Sequence, residues 1–76
     1  MGNKVLASIE NPSGDRCVDV FSRADGTFGF EECRRDPEDG GRWYSLHRFS
    51  RQVFDSEEDA LGRAKACVEW LKPDEP

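Results

Sequence analysis

Residues 16–34 read RCVDVFSRADGTFGFEECR, and the fold depends on how this stretch doubles back. Two runs rich in β-branched and aromatic residues, 16–23 and 27–34, flank Ala24, Asp25 and Gly26. Such runs around a short glycine-containing break predict a β-hairpin. Loop length then sets the register. A two-residue turn at Asp25 and Gly26 would set Phe21 opposite Phe30 and Val20 opposite Glu31. A three-residue loop, a type I turn followed by Gly26 in the left-handed region, sets Val20 opposite Phe30 and Phe21 opposite Gly29. The second is preferred because it gathers Val18, Val20, Phe28 and Phe30 on one apolar face. It also lays the Phe21 ring over the bare backbone of Gly29 and sets Cys17 opposite Cys33 on the other face.

Working outward, residues 4–10 alternate, with Val5, Ala7 and Ile9 against Leu6, Ser8 and Glu10, as a strand does. Asn11, Pro12 and Gly14 supply the turn that follows. Residues 35–41 hold no apolar side chain and read as an exposed charged loop. Residues 42–49 form a fourth strand, with Tyr44 and Leu46 assigned to the core and Trp43, Ser45 and His47 to the opposite face. Residues 50–54 extend this strand or lead into the helix.

A C-terminal helix over about 57–71 follows. Ser56 is its N-cap, and Asp59 three residues on imitates a capping box. Glu57, Glu58 and Asp59 suit the positive end of the helix dipole. Leu61, Ala64, Val68 and Leu71 recur at helical spacing, flanked by Ala60 and Cys67. Gly62 weakens the helix, or serves a close approach to the sheet. Lys72 and Pro73 close it, and 73–76 fray. The fold class is therefore α+β, an antiparallel sheet of three to four strands packed on one helix in β-β-β-β-α order.

The chain has 76 residues, one domain's worth. A chain this short buries about 60% of the surface it exposes when unfolded, so its core is small. The net charge is -5 and uneven. Residues 1–54 hold nine acidic and eight basic groups, whereas 55–76 hold seven and three. No uniformly basic footprint for nucleic acid results. Residues 1–4 lead straight into a strand pattern, without a signal-peptide core or a membrane-spanning run. Three cysteines without a close pair then read as reduced thiols, and the expected location is the cytoplasm.

No motif specifies a reaction. Cys17, Cys33 and His47 can share the outer sheet face, but structural zinc sites usually use closely spaced cysteine pairs. The plainer reading is three small, semi-buried thiols, Cys17, Cys33 and Cys67, and one surface imidazole, so no metal or cofactor is expected. Glu31 and Glu32 point to opposite faces of a strand and read as solvated surface rather than a catalytic pair. Nothing resembling a nucleophile elbow or a phosphate loop is present. No catalytic residue is assigned, and an enzyme is not expected.

What remains is a surface. Arg34, Arg35, Arg42, Arg48 and Arg51 gather around the third and fourth strands with Trp43 among them, a pattern that can dock nucleic acid. The strands-then-helix order is similar in outline to AP2-like DNA-binding domains. Asp36, Glu38 and Asp39 cancel much of the local positive field, however. Phe21 and Trp43 on a face without a second layer suggest a protein interface. The expected function is a non-enzymatic protein-interaction module with an unknown protein or a second copy as partner. Its candidate surface is Phe21, Trp43, His47, Arg34, Arg35 and Arg42. The alternative is a nucleic-acid-binding module, and no membrane partner is expected.

Two stretches carry a resemblance: residues 25–32 (DGTFGFEE) with the following RRDPED, and residues 56–60 (SEEDA) closed by Trp70 and Leu71. They resemble small single-domain bacterial proteins of unknown function, mostly from α-proteobacteria, built of one sheet and one helix. The resemblance implies that fold and a cytosolic bacterial setting, and no site residues.

Overall fold

A computed structural model describes residues 3–71 apart from 37 and 39. Four strands form one antiparallel meander in the order β1-β2-β3-β4: β1 Lys4–Glu10, β2 Arg16–Ser22, β3 Phe28–Asp36 and β4 Arg42–Ser45. Helix α1, Glu57–Cys67, follows, and a 3-10 turn spans Glu69–Leu71. The expected β-β-β-β-α architecture is the one observed. Lys72, Pro73 and the tail 73–76, expected to end the helix, lie outside the described residues.

The β2–β3 register is the three-residue-loop register. Val20 pairs with Phe30, Phe21 with Gly29, and Cys17 with Cys33. Gly26 has φ +88, a conformation that glycine adopts without steric cost. The Arg23 N–H donates to the Thr27 carbonyl at 2.8 Å, closing the loop. The Asp25 carboxylate accepts from the Thr27 hydroxyl and N–H, and these bonds lower its pKa.

The core lies where this hairpin meets α1. Val18, Val20 and Phe30 on the sheet are fully buried against Ala60, Ala64 and Val68. Small alanines on the inner stripe let the helix lie close to the strands. Leu61, expected on that stripe with Ala64 and Val68, is only partly buried and packs at its margin. Ser56 caps α1 as expected, accepting from the Asp59 N–H at 3.0 Å. Gly62 points away from the sheet, with nothing within 4 Å of a built Cβ, so it serves no close approach.

Three elements differ from expectation, each for an identifiable reason. In β1 the pairing shifts between Val5 and Ala7. This bulge sends Val5 to the outer face beside Phe21, while Ala7 and Ile9 align with Val20 and Val18 on the core side. Strand β4 stops at Ser45, four residues early, because His47 takes φ 53 and leaves the strand conformation. Tyr44, expected in the core, is exposed, and Leu46 is half-buried. Helix α1 ends at Cys67, and Val68 turns extended. That turn swings Trp70 back to the sheet, where its indole N–H donates to Glu32 at 2.9 Å.

Candidate interaction surface on the open sheet face

Alternation along the strands gives the sheet two distinct sides. Val18, Val20, Phe30 and Glu32 face the helix. Cys17, Asp19, Phe21, Gly29, Glu31 and Cys33 face outward. The molecule is only 18 Å deep along its shortest axis, the thickness of one helix on one sheet. Among the described residues no second layer covers the outer face.

Beyond β4 the segment 46–54 runs along the free edge of β3, yet only its ends form ladder bonds. The Leu46 N–H donates to the Glu32 carbonyl, and Phe54 exchanges both backbone bonds with Phe28. Between them the partners are side chains. The Glu31 carboxylate accepts the N–H of Arg48 at 3.0 Å, of Phe49 at 3.0 Å and of Ser50 at 2.9 Å, besides that of Glu32. Arg23 donates to the carbonyls of Ser50, Gln52 and Phe28. Phe49 and Phe54 are thereby placed on Phe30, with ring centroids 4.9 and 5.9 Å away, and the segment completes the core.

The reading of Glu31 and Glu32 as solvated surface is therefore corrected: both are buried. Burial alone would raise the Glu31 pKa, but four backbone N–H groups outweigh it and hold the carboxyl below its usual range. On the opposite face Glu32 accepts from Arg16 at 3.1 Å, Arg48 at 3.3 Å and Trp70. One carboxylate organises the edge segment, and the other ties β2, that segment and the 3-10 turn together. Two adjacent acids inside a strand otherwise carrying Phe30 and Cys33 were the sequence signal for this role.

The six residues expected to form one surface are not brought together. Phe21 is 7% exposed, which removes it as an exposed aromatic. The Arg23 guanidinium lies 5.0 Å from its ring centroid, on its way across Gly29 to the edge segment. Trp43 is 38% exposed on the outer face, with Arg35 stacked 5.0 Å from the ring centroid. Arg35 also donates to the Gly14 carbonyl at 2.6 Å. Arg34 and Arg42 project to the helix-side face by alternation, where Arg34 pairs with Asp36 at 3.4 Å and Arg42 stands opposite Asp36. His47 is exposed beyond the end of β4. Val5, 54% exposed because of the bulge, joins the outer face unanticipated.

A second outer-face group lies nearer β1. The ligand atoms of Cys17, Asp19 and Cys33 fall within 4.8 Å of one another. Asp19 accepts from the Ser8 hydroxyl at 2.7 Å and from the Cys17 thiol at 3.8 Å. Burial, helped by the Asp19 charge, pushes the Cys17 thiol up to about 12 and raises Cys33 as well. Both thiols are therefore protonated and weakly nucleophilic near neutral pH.

A shallow cleft lies elsewhere, between Val53–Asp55 and the outer side of α1 at Glu58, Gly62 and Ala66. Its lining includes the carboxylates of Asp55, Glu58 and Asp59 beside Arg63. No described helix is long and apolar enough to cross a membrane. No family model, curated protein or solved structure matches the chain.

Proposed function

We propose that the protein is a non-enzymatic interaction module that uses the outer face of its sheet, with a second copy of the chain as the occupant. The observation that supports this reading is the exposure of Val5 and Trp43, which stand on the outer face at the two edge strands, on either side of a centre where Cys17, Phe21 and Glu31 are buried. A two-fold contact would set the same patch of each copy against the other and remove both sets of apolar groups from water. Aromatic anchors such as Trp43 dominate the energetics of such contacts.

The nucleic-acid alternative has less support. Arg16 and Arg48 are committed to Glu32, Arg23 to backbone carbonyls, and Arg35 to Trp43 and Gly14. That leaves Arg34, which pairs with Asp36, and Arg42, Arg51 and Arg63 to meet phosphates, on a chain of net charge -5.

Light scattering over a concentration series tests self-association, with acrylamide quenching compared between the parent and Trp43→Phe. The expected result is a mass rising towards two protomers while Trp43 becomes protected. A constant one-protomer mass with Trp43 equally quenched at every concentration would refute the second copy as occupant.

A further inference from the structure

We propose that Cys17, Asp19 and Cys33 form a binding site for a soft divalent cation of the zinc class. The site lies on the same outer face as the interaction reading above but does not rest on it. Cys17 and Asp19 are two apart on β2 and so face the same way, while Cys33 stands directly opposite Cys17 on β3. Two adjacent strands thus supply two sulfurs and one carboxylate oxygen within 4.8 Å of one another, a separation that a tetrahedral cation bridges with small side-chain rotations.

The surroundings show why a cation fits. Asp19 is half-buried, and among the described residues no lysine, arginine or histidine pairs with it. Its charge is met only by one hydroxyl and a long contact from a thiol. A carboxylate beside two sulfurs, with no cationic side chain paired to it among the described residues, is a donor set complementary to a cation. The Ser8 hydroxyl fixes the carboxylate as an outer-shell donor would. Two sulfurs select thiophilic zinc or cadmium over magnesium or calcium, which take oxygen ligands. His47, which the sequence reading weighed with Cys17 and Cys33 and set aside as a surface imidazole, is not in this group. The third ligand is Asp19, two residues from Cys17.

Binding is proton exchange without redox change. The two S–H bonds break, two metal–sulfur bonds form, and two protons pass to the buffer. Three protein ligands leave the fourth tetrahedral position open on the solvent side of the sheet, for water or another donor.

The test uses the full chain carrying Cys67→Ser, which removes the exposed third thiol, kept reduced with a phosphine. Cadmium alone is titrated while the ultraviolet thiolate-to-cadmium absorption is followed. Zinc alone is titrated calorimetrically in two buffers of different ionisation enthalpy. One equivalent of metal and release of about two protons are expected. Cys33→Ser should weaken binding by more than about 100-fold, the upper range for losing an outer-shell partner alone. Asp19→Asn should weaken it by at least about 10-fold on the same scale. Because Cys33 is only half-buried, its variant should remain folded, and circular dichroism checks this. Absence of the cadmium band, or affinity unchanged in either folded variant, would overturn the site.

Discussion

The β2–β3 turn and the segment 46–54 both shape the chain beside β3, and they do so by opposite means. The turn closes on itself: Arg23 and Thr27, four apart, share a backbone bond, and Gly26 donates to the Arg23 carbonyl. The segment 46–54 borrows its middle partners from Glu31 and Arg23, residues 17 to 29 positions away. A self-contained turn is a local property of its sequence. An edge held by side chains exists only once the sheet has brought those side chains to it. The first should therefore fail locally when disturbed, and the second should fail together with the sheet.

The largest expected effect comes from Glu31→Gln. The amide keeps one acceptor oxygen but sets an NH2 group against two of the four N–H donors. One or two buried donors left unmatched cost about 3 kcal/mol. The urea midpoint should fall accordingly, and the amides of Arg48, Phe49 and Ser50 should exchange faster than those of the β2–β3 turn. An unchanged midpoint would mean that Phe49 and Phe54 alone hold the segment. Acid should act the same way. The folded Glu31 pKa lies below its usual value of 4.5, so the unfolded chain binds the proton more tightly. The stabilisation is therefore complete above that value and is lost as pH falls through the lower folded pKa. In Glu31→Gln this part of the acid dependence should disappear.

Gly29→Ala joins the two regions. A Cβ there would stand 2.5 Å from the Arg23 guanidinium and 3.0 Å from the Phe21 ring, so Arg23 must leave its track across the sheet. Crowding of this kind costs about 2 kcal/mol. It also frees the carbonyls of Ser50 and Gln52, which Arg23 holds. The cost should shrink in an Arg23→Ala background, since the two changes share one interaction. Additive costs would show that the guanidinium does not cross at Gly29.

Gly26→Ala tests the self-contained turn. Nothing lies within 4 Å of the added methyl, so only the φ of +88 opposes it, at about 1 kcal/mol. Exchange at 48–50 should be no more affected than elsewhere. Preferential loosening there would contradict the independence of the turn.

The same division explains what could be read from the sequence. The hairpin register was legible because only one alignment joins Val18, Val20, Phe28 and Phe30, and the loop that produces it lies between them. The bulge in β1 was not, since Val5, Ala7 and Ile9 keep an unbroken alternation and the slip arises against β2. Glu31 and Glu32 looked like surface because their donors are backbone amides, arginines and an indole far along the chain. On the candidate surface, Trp43 was placed on the correct face by strand alternation. Phe21 was misjudged because its cover, Arg23, comes from its own strand end rather than from a second layer.

The smallest expected effect has the opposite sign. Gly62 lies mid-helix on the outer side of α1, where a built Cβ meets nothing within 4 Å. Its φ is outside the left-handed range, so alanine takes the same backbone without strain. Glycine in a helix interior is less favourable than alanine by about 0.5 to 1 kcal/mol, largely through the freedom it retains when unfolded. Gly62→Ala should therefore raise the urea midpoint by that amount and leave the slope unchanged. The change touches neither the hairpin nor the edge segment, so it should add to the Glu31→Gln effect in the double variant. A destabilised Gly62→Ala would mean that the outer side of α1 is covered in solution, and the cleft beside Val53 would then be the place to look for what covers it.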